Sequence, residues 1–259
     1  MSNSLRNITA IAGKELRSFY SSPIAWVMLG LFAVIFGGFF YNAAAYFARA
    51  SMAGQFGGAP QRMNVNLEMI RPLLSNATVV MLFVLPMITM RIYSEEKRSG
   101  TIELLLTSPL RDVEIIFGKF FGAVGMYLGL LLVTLLYVSI IFMFGNPAVK
   151  PLFAGFLGLL LFGSGFIAMG LFISTLTSNQ MVAATASFVL FLLFWIINWF
   201  SDSMGPTVAG ILSDLSITEH FDDFAKGVID TKHIVFYLSF IAFGLFLATK
   251  SVDSDRWRG

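Results

Sequence analysis

Apolar and polar residues do not alternate along this chain; they come in blocks. Six apolar blocks, Ile24–Phe47, Pro72–Met90, Phe120–Phe144, Leu152–Ile173, Met181–Phe200 and Ile234–Thr249, contain no Asp, Glu, Lys, Arg or His. A membrane-crossing helix needs about 20 apolar residues, because the hydrocarbon core is about 30 Å thick and each residue rises about 1.5 Å. The first five blocks reach that length. The sixth is shorter and requires Lys232 and Lys250 to snorkel toward opposite interfaces. Unalternating runs of this kind suit helices and not barrel strands, because backbone groups in lipid must bond within their own segment. The pattern predicts an all-α polytopic membrane protein with six transmembrane helices, as a single domain over residues 1–259.

Ahead of the first block the period changes. Leu5, Ile8, Ala12, Leu16 and Phe19 fall on one helical face and Arg6, Asn7, Lys14, Arg17 and Ser18 on the other. This predicts an amphipathic helix lying on the inner membrane surface, with Lys14, Glu15 and Arg17 among its charged positions. In the third block Gly118, Gly122, Gly125 and Gly129 make one stripe, and Gly30/Gly37 and Gly163/Gly170 are each seven apart. Small residues let helix backbones approach closely where no hydrophobic drive brings them together, so the spans are expected to pack as a bundle.

Composition agrees with the pattern: 57% of residues are hydrophobic and 12% charged, against about 45–50% and about 25% in soluble domains. An ordinary soluble enzyme and a disordered chain are both excluded. A net charge of +2 is too small to point to nucleic acid. Its distribution is more informative. With the N-terminus inside, the inner segments carry eleven Lys and Arg residues and the outer segments six, which places both termini in the cytoplasm. The first apolar block is too long for a signal peptide, so it is expected to stay as a span.

Several chemistries lack their residues. No span holds an ionisable side chain, which argues against a proton relay or voltage sensor. The two histidines, His220 and His233, both lie in the last outer segment, and there is no cysteine, so neither a bis-histidine haem inside the bundle nor a thiolate metal site can form. Neither Gly13-Lys14 nor Gly118-Lys119 sits in a phosphate-cradling G-x-x-x-x-G-K-[ST] loop. The chain carries no catalytic residues or cofactor of its own by this reading, and any ATP it uses is bound by a partner. Phe188, Phe191, Trp195 and Trp199 line one side of the fifth block and are a candidate substrate seam; aromatics at helical spacing also serve packing and lipid contact.

The longest inner loop, Arg91 to Lys119, balances five basic against five acidic residues. Gly100 allows a sharp turn there, and Thr101 can cap a short helix from Ile102 to about Thr107. Pro109 stops that helix, and Asp112 can cap the one leading into the third span. Three leucines, Leu104 to Leu106, bring a solvent-only loop nothing, so the segment is expected to dock into another protein.

Glu95–Gly118 resembles the coupling element E-E-[KR]-x-x-G-T-[IL]-E-x-L-[LF]-x-[ST]-P of ABC-2 type ATP-binding-cassette transporter permeases. Lys14-Glu15-Leu16 with Ser21-Ser22-Pro23, and His220-Phe221-Asp222 with Lys226–Asp230, resemble the gliding-motility-associated permease branch. The resemblance implies a permease subunit that is not itself an enzyme, in a bacterial cytoplasmic (inner) membrane. It would pair with a second permease, identical or related, and sit on separate ABC ATPase subunits that bind ATP and Mg. Glu95, Glu96, Lys97, Arg98, Gly100, Thr101, Glu103, Leu104, Leu105, Thr107 and Pro109 would form the coupling interface. The segment before the last span would fold as short half-inserted helices capping the outer end. A probable exporter is implied; the alternatives are a force-transmitting subunit of a motility or envelope machine that moves no substrate, and a nucleotide-independent scaffold or channel.

Overall fold

The computed structural model describes residues 2–56, 64–102, 110–197, 199 and 206–258. Those residues are helical almost throughout, with no strand among them. The helices are α1 (Ser2–Ser21), α2 (Pro23–Phe56), α3 (Arg71–Thr89), α4 (Ser94–Ser99), α5 (Asp112–Phe144), α6 (Val149–Leu176), α7 (Gln180–Ile196), α8 (Pro206–Leu215), α9 (Ile217–Ala225) and α10 (Thr231–Arg258). A π-helical turn, Asn66–Ile70, leads into α3, whose first turn takes Pro72 at no cost because its missing N–H has no partner there anyway.

Among the described residues, five helical stretches are long and apolar enough to cross a membrane: Pro23–Met52, Asn66–Ser99, Asp112–Phe144, Val149–Leu176 and Thr231–Ser254. The helix of the fifth apolar block, α7, has 17 residues, and the residues that would extend it to Phe200 fall partly outside the described ones. The sixth block, short in the sequence, belongs to the 28-residue α10. A helix does not stop where its apolar run stops, since Lys and Asp continue it without conformational penalty and reach toward water.

Burial separates the centre from the rim. In α3 and α6, 67% and 72% of the most apolar stretch is buried, against 22% in α2 and α10. The centre is therefore α3 and α6, and the outward apolar faces of α2 and α10 include Val27, Leu31, Val34, Leu238 and Phe246. Contacts fix the directions. Gly165 meets Phe240 and Gly244 meets Ala168, so α10 runs parallel to α6. Arg71, at the start of α3, bonds to Asp222 on α9, whereas the backbone after its end bonds to Ser174 near the end of α6. One end of the bundle thus gathers the α1–α2 junction, residues 90–102 and 110–119, the α6–α7 turn and the end of α10. The other gathers the π-turn, the α5–α6 turn, α8, α9 and the start of α10, with Asn66 clasping the Ala148 backbone through both of its amide atoms.

The glycine stripe of α5 packs against α1. A Cβ at Gly118 would lie 2.6 Å from Ile11 Cβ, and one at Gly122 would lie 2.5 Å from Glu15 Cβ; Gly125 faces Leu16, and Gly129 faces Tyr20. The apolar stripe expected to rest on the membrane surface is instead covered by protein from Ile8 to Tyr20. Leu5, placed on the same stripe by its spacing, is 67% exposed, and the free face of α1 presents Arg6, Lys14, Arg17 and Ser18. Gly37 meets Tyr137 and Gly163 meets Tyr127, while Gly30 has open space around it.

The stripe is tested by bulk. Gly122→Leu is expected to lower stability by about 1–3 kcal/mol, the usual range for overpacking, whereas Gly30→Leu should stay within error of wild type. Thermal unfolding in detergent checks both.

Candidate functional site

Polar side chains sink into the protein at the end where α4 and the start of α5 lie. Lys119, two turns into α5, is 1% exposed. Its ammonium contacts Glu96 Oε1 at 2.8 Å and Glu15 Oε1 at 3.1 Å. It also donates to the Ile92 carbonyl at 2.9 Å and lies 5.0 Å from the centre of the Tyr93 ring. A buried ammonium survives only with its donors satisfied, and these partners come from α1, the turn after α3, and α4. Asn7 extends the seam along α1 by donating to Glu114 Oε2 at 3.0 Å. Glu114, in turn, accepts from the Arg111 N–H at 3.4 Å; α5 is therefore capped from within its first turn, where Asp112 had been expected as the cap.

A second anchor joins α4 to the end of α6. The Ser174 hydroxyl accepts from the Tyr93 and Ser94 N–H groups at 3.0 and 3.1 Å. Those donors open α4, which has no side-chain cap of its own. Ser94 packs its hydroxyl against the Ser174 carbonyl at 3.2 Å, and Lys97 donates to the Thr175 carbonyl at 2.5 Å. That carbonyl belongs to the last turn of α6, where a cation is favoured. A third tie runs to the α1–α2 junction: Arg91 donates to Ser22 Oγ at 3.4 Å and pairs with Glu95 at 3.3 Å.

Among the expected coupling residues, Glu96 and Lys97 are thus turned inward as anchors. Glu95, Arg98, Gly100 and Thr101 face outward, with Gly100 ending α4 at φ +72°, a conformation that suits glycine. Glu103, Leu104, Leu105, Thr107 and Pro109, and with them the short helix expected from Ile102, lie outside the described residues. Of the interfacial positions, Glu15 reaches Lys119, and Lys14 and Arg17 are exposed. A cleft of about 490 Å³ opens between α1 and α4, with Lys14, Glu15, Arg91, Glu95 and Glu96 in its wall. Glu96 Oε2, buried beside it, has no hydrogen-bond partner among the described residues.

Sequence reasoning missed Lys119, Ser174, Arg91 and Ser22. Lys119 was placed in a loop because it precedes the apolar block. Its position next to the glycine stripe, which brings another backbone close, was the available signal. Ser174 gave none. The four aromatics of the fifth block separate: Phe191 is buried, with its ring 4.4 Å from that of Phe166, Phe188 lies 5.1 Å from Phe83, and Trp195 and Trp199 meet edge-on at 5.4 Å.

A family model described as "ABC-2 family transporter protein" matches residues 9–249. No curated protein matches the chain.

Lys119→Met should cost about 3–5 kcal/mol, because it strands two carboxylates in a largely buried site. Adding Glu15→Gln and Glu96→Gln should recover most of that loss. Unfolding midpoints of the single and triple variants measure both effects.

Proposed function

The chain belongs to the ABC-2 transporter family, and from that premise we propose that it is a permease driven through residues 90–119 by ATP hydrolysis on a separate cassette ATPase. A multi-pass membrane protein and a transport subunit follow from the family and from the apolar helices. The observation that carries the finer reading is the anchoring of α4. Its outward side offers Glu95 and Arg98 to a partner, with Thr101 exposed just after it, while its inward side is bonded to the start of α5 and the end of α6, and through Lys119 to Glu15 of α1.

A docked ATPase that closes on ATP would move α4. Ser94 and Lys97 pass the displacement to α6, the central helix, and Glu96 passes it through Lys119 to α5 and α1. Only a difference in affinity between two arrangements of the spans can couple the sites, typically about 1–3 kcal/mol. ATP and Mg act in the partner. The residues of this chain grip, position and transmit, and none of them does bond-breaking chemistry.

In this reading the α4 end faces the cytoplasm, in accord with the excess of Lys and Arg at that end. Both termini then lie inside, α7 belongs to the sixth crossing, and the basic free face of α1 meets lipid headgroups. A second permease completes the pathway at the bundle rim, and export is the direction. The bacterial inner membrane is the setting proposed.

Two variants separate docking from transmission. Glu95→Lys with Arg98→Glu should abolish co-purification of the ATPase. Ser174→Ala with Lys97→Met should preserve co-purification but reduce the permease's stimulation of ATP hydrolysis by about fivefold or more, the low end of such couplings. If no cassette ATPase accompanies the wild-type protein, or if both variants behave as wild type, the reading fails.

A further inference from the structure

At the opposite end of the bundle, a chain of polar contacts crosses four helices. Arg71, at the start of α3, pairs with Asp222 at 2.7 Å. Lys226 bridges Asp222 and Asp223 at 2.7 and 3.1 Å. Asp223 Oδ2 meets His233 Nε2 at 2.9 Å, His233 Nδ1 meets His220 Nδ1 at 2.6 Å, and His220 Nε2 meets the Asp214 carbonyl at 3.0 Å. Lys232 closes the series on the Asp214 carboxylate at 2.8 Å. Glu219 also borders the cleft of about 410 Å³ in which these groups sit. Both rings are nearly inaccessible, with His220 3% and His233 8% exposed.

The geometry fixes the number of protons. A backbone carbonyl only accepts, so His220 Nε2 carries hydrogen. An ionised carboxylate only accepts, so His233 Nε2 carries hydrogen as well. Burial pushes the Asp223 carboxyl up, but the Lys226 ammonium and the His233 ring outweigh it and leave Asp223 below its ordinary value, hence ionised. The two Nδ1 atoms, at bonding distance, share one hydrogen and no more. Three protons on four ring nitrogens make one positive charge for the pair, next to the Asp223 carboxylate. We infer that the two histidines form a single-charge latch joining α8 and α9 to α10, closed at neutral pH and opened by a second proton.

The sign follows from His220. Burial is the main cause that holds this ring below its ordinary value of 6.5, and the His233 and Lys232 charges act in the same direction against the bonding to Asp214. Near neutral pH His220 is uncharged whether the latch is open or closed. As pH falls below 6.5, a ring released to water takes a proton that the buried ring refuses, so opening is progressively favoured. Once His220 is charged, both Nδ1 atoms bear hydrogen and repel at a distance that was a bond. Protonation of Asp223 at lower pH would remove the next link as well, in the same direction.

The latch sits on α3 and α6; at their far ends α3 leads into α4, and α4 bonds to α6. Phe224 of α9 packs on Gly158, and Gly227, at φ +89°, rides on Pro151; Tyr237 Oη donates to the Ile217 carbonyl at 2.8 Å. Opening would therefore loosen the cap over one mouth of the central helices. The inference does not rest on an ATPase partner and can fail or stand apart from it.

The chain has two histidines and no cysteine, which makes the test direct. Histidine-selective ¹⁵N labelling of the full chain, purified through a tag without histidine, reports these two rings alone. At neutral pH one ring should be doubly protonated and the other neutral with hydrogen on Nε2. Two neutral or two charged rings would overturn the latch. Spin labels on Ile211→Cys in α8 and Val235→Cys in α10 should move apart between pH 7.5 and pH 5, in step with the second protonation and with a midpoint below 6.5. An unchanged separation while both rings become charged would also overturn it. His220→Asn, whose amide oxygen accepts from His233 but gains no proton, should keep the short separation at pH 5. Acid opening retained in that variant would show that His220 is not the switch.

Discussion

The ammonium of Lys119 has to be satisfied inside the protein, and three otherwise separate elements converge on it to do so. Glu15 arrives from α1, Ile92 and Tyr93 from the turn after α3, and Glu96 from α4. Each partner alone is weak. Together they replace the hydration that a buried cation loses, and removing the lysine leaves two carboxylates stranded. Such a junction is demanding in geometry, and that makes it suitable for transmission. If α4 moves, the carboxylate of Glu96 moves, and either Lys119 follows or a buried ion pair breaks.

The glycine stripe makes this junction reachable. Glu15 sits where its Cβ would touch any side chain at position 122. Without a bare backbone there, α1 would stand further from α5 and its carboxylate would fall short of Lys119. Backbone proximity and buried charge are therefore one arrangement: the glycines set the separation of the two helices, and the ion pair sets their register. The basic residues of α1 are left on its outer face, free for water or anionic headgroups.

The two ends of the bundle use opposite electrostatic designs on the same central helices. At the α4 end, a lysine is held between two carboxylates. At the far end, two buried histidines share one proton, so the bond between α9 and α10 depends on proton activity. α3 and α6 run from one to the other, with Ser174 at one end of α6 and Pro151, Gly155 and Gly158 at the other. A displacement at α4 and a protonation at His220 thus act on the same pair of rigid elements.

Local pattern alone was enough to show that the chain is a bundle of apolar helices, because an uncharged run of some twenty residues has few other stable states. It also showed that α1 has one apolar face, that α5 carries a stripe permitting close approach, and that Glu95–Gly100 is a charged, turn-forming segment between spans. It could not show which surfaces would meet. The partner of the glycine stripe turned out to be α1 and not another span. Lys119 changed from a loop charge to a buried hub because Glu15, 104 positions away in sequence, lies beside it. Ser94 and Lys97 became anchors because Ser174 and Thr175 end α6 at the same level. Two unremarkable histidines became a proton-sharing pair. Helix formation and lipid burial depend on a residue's near neighbours and are written in the local sequence; the satisfaction of a buried charge depends on groups that only the folded chain brings within bonding distance.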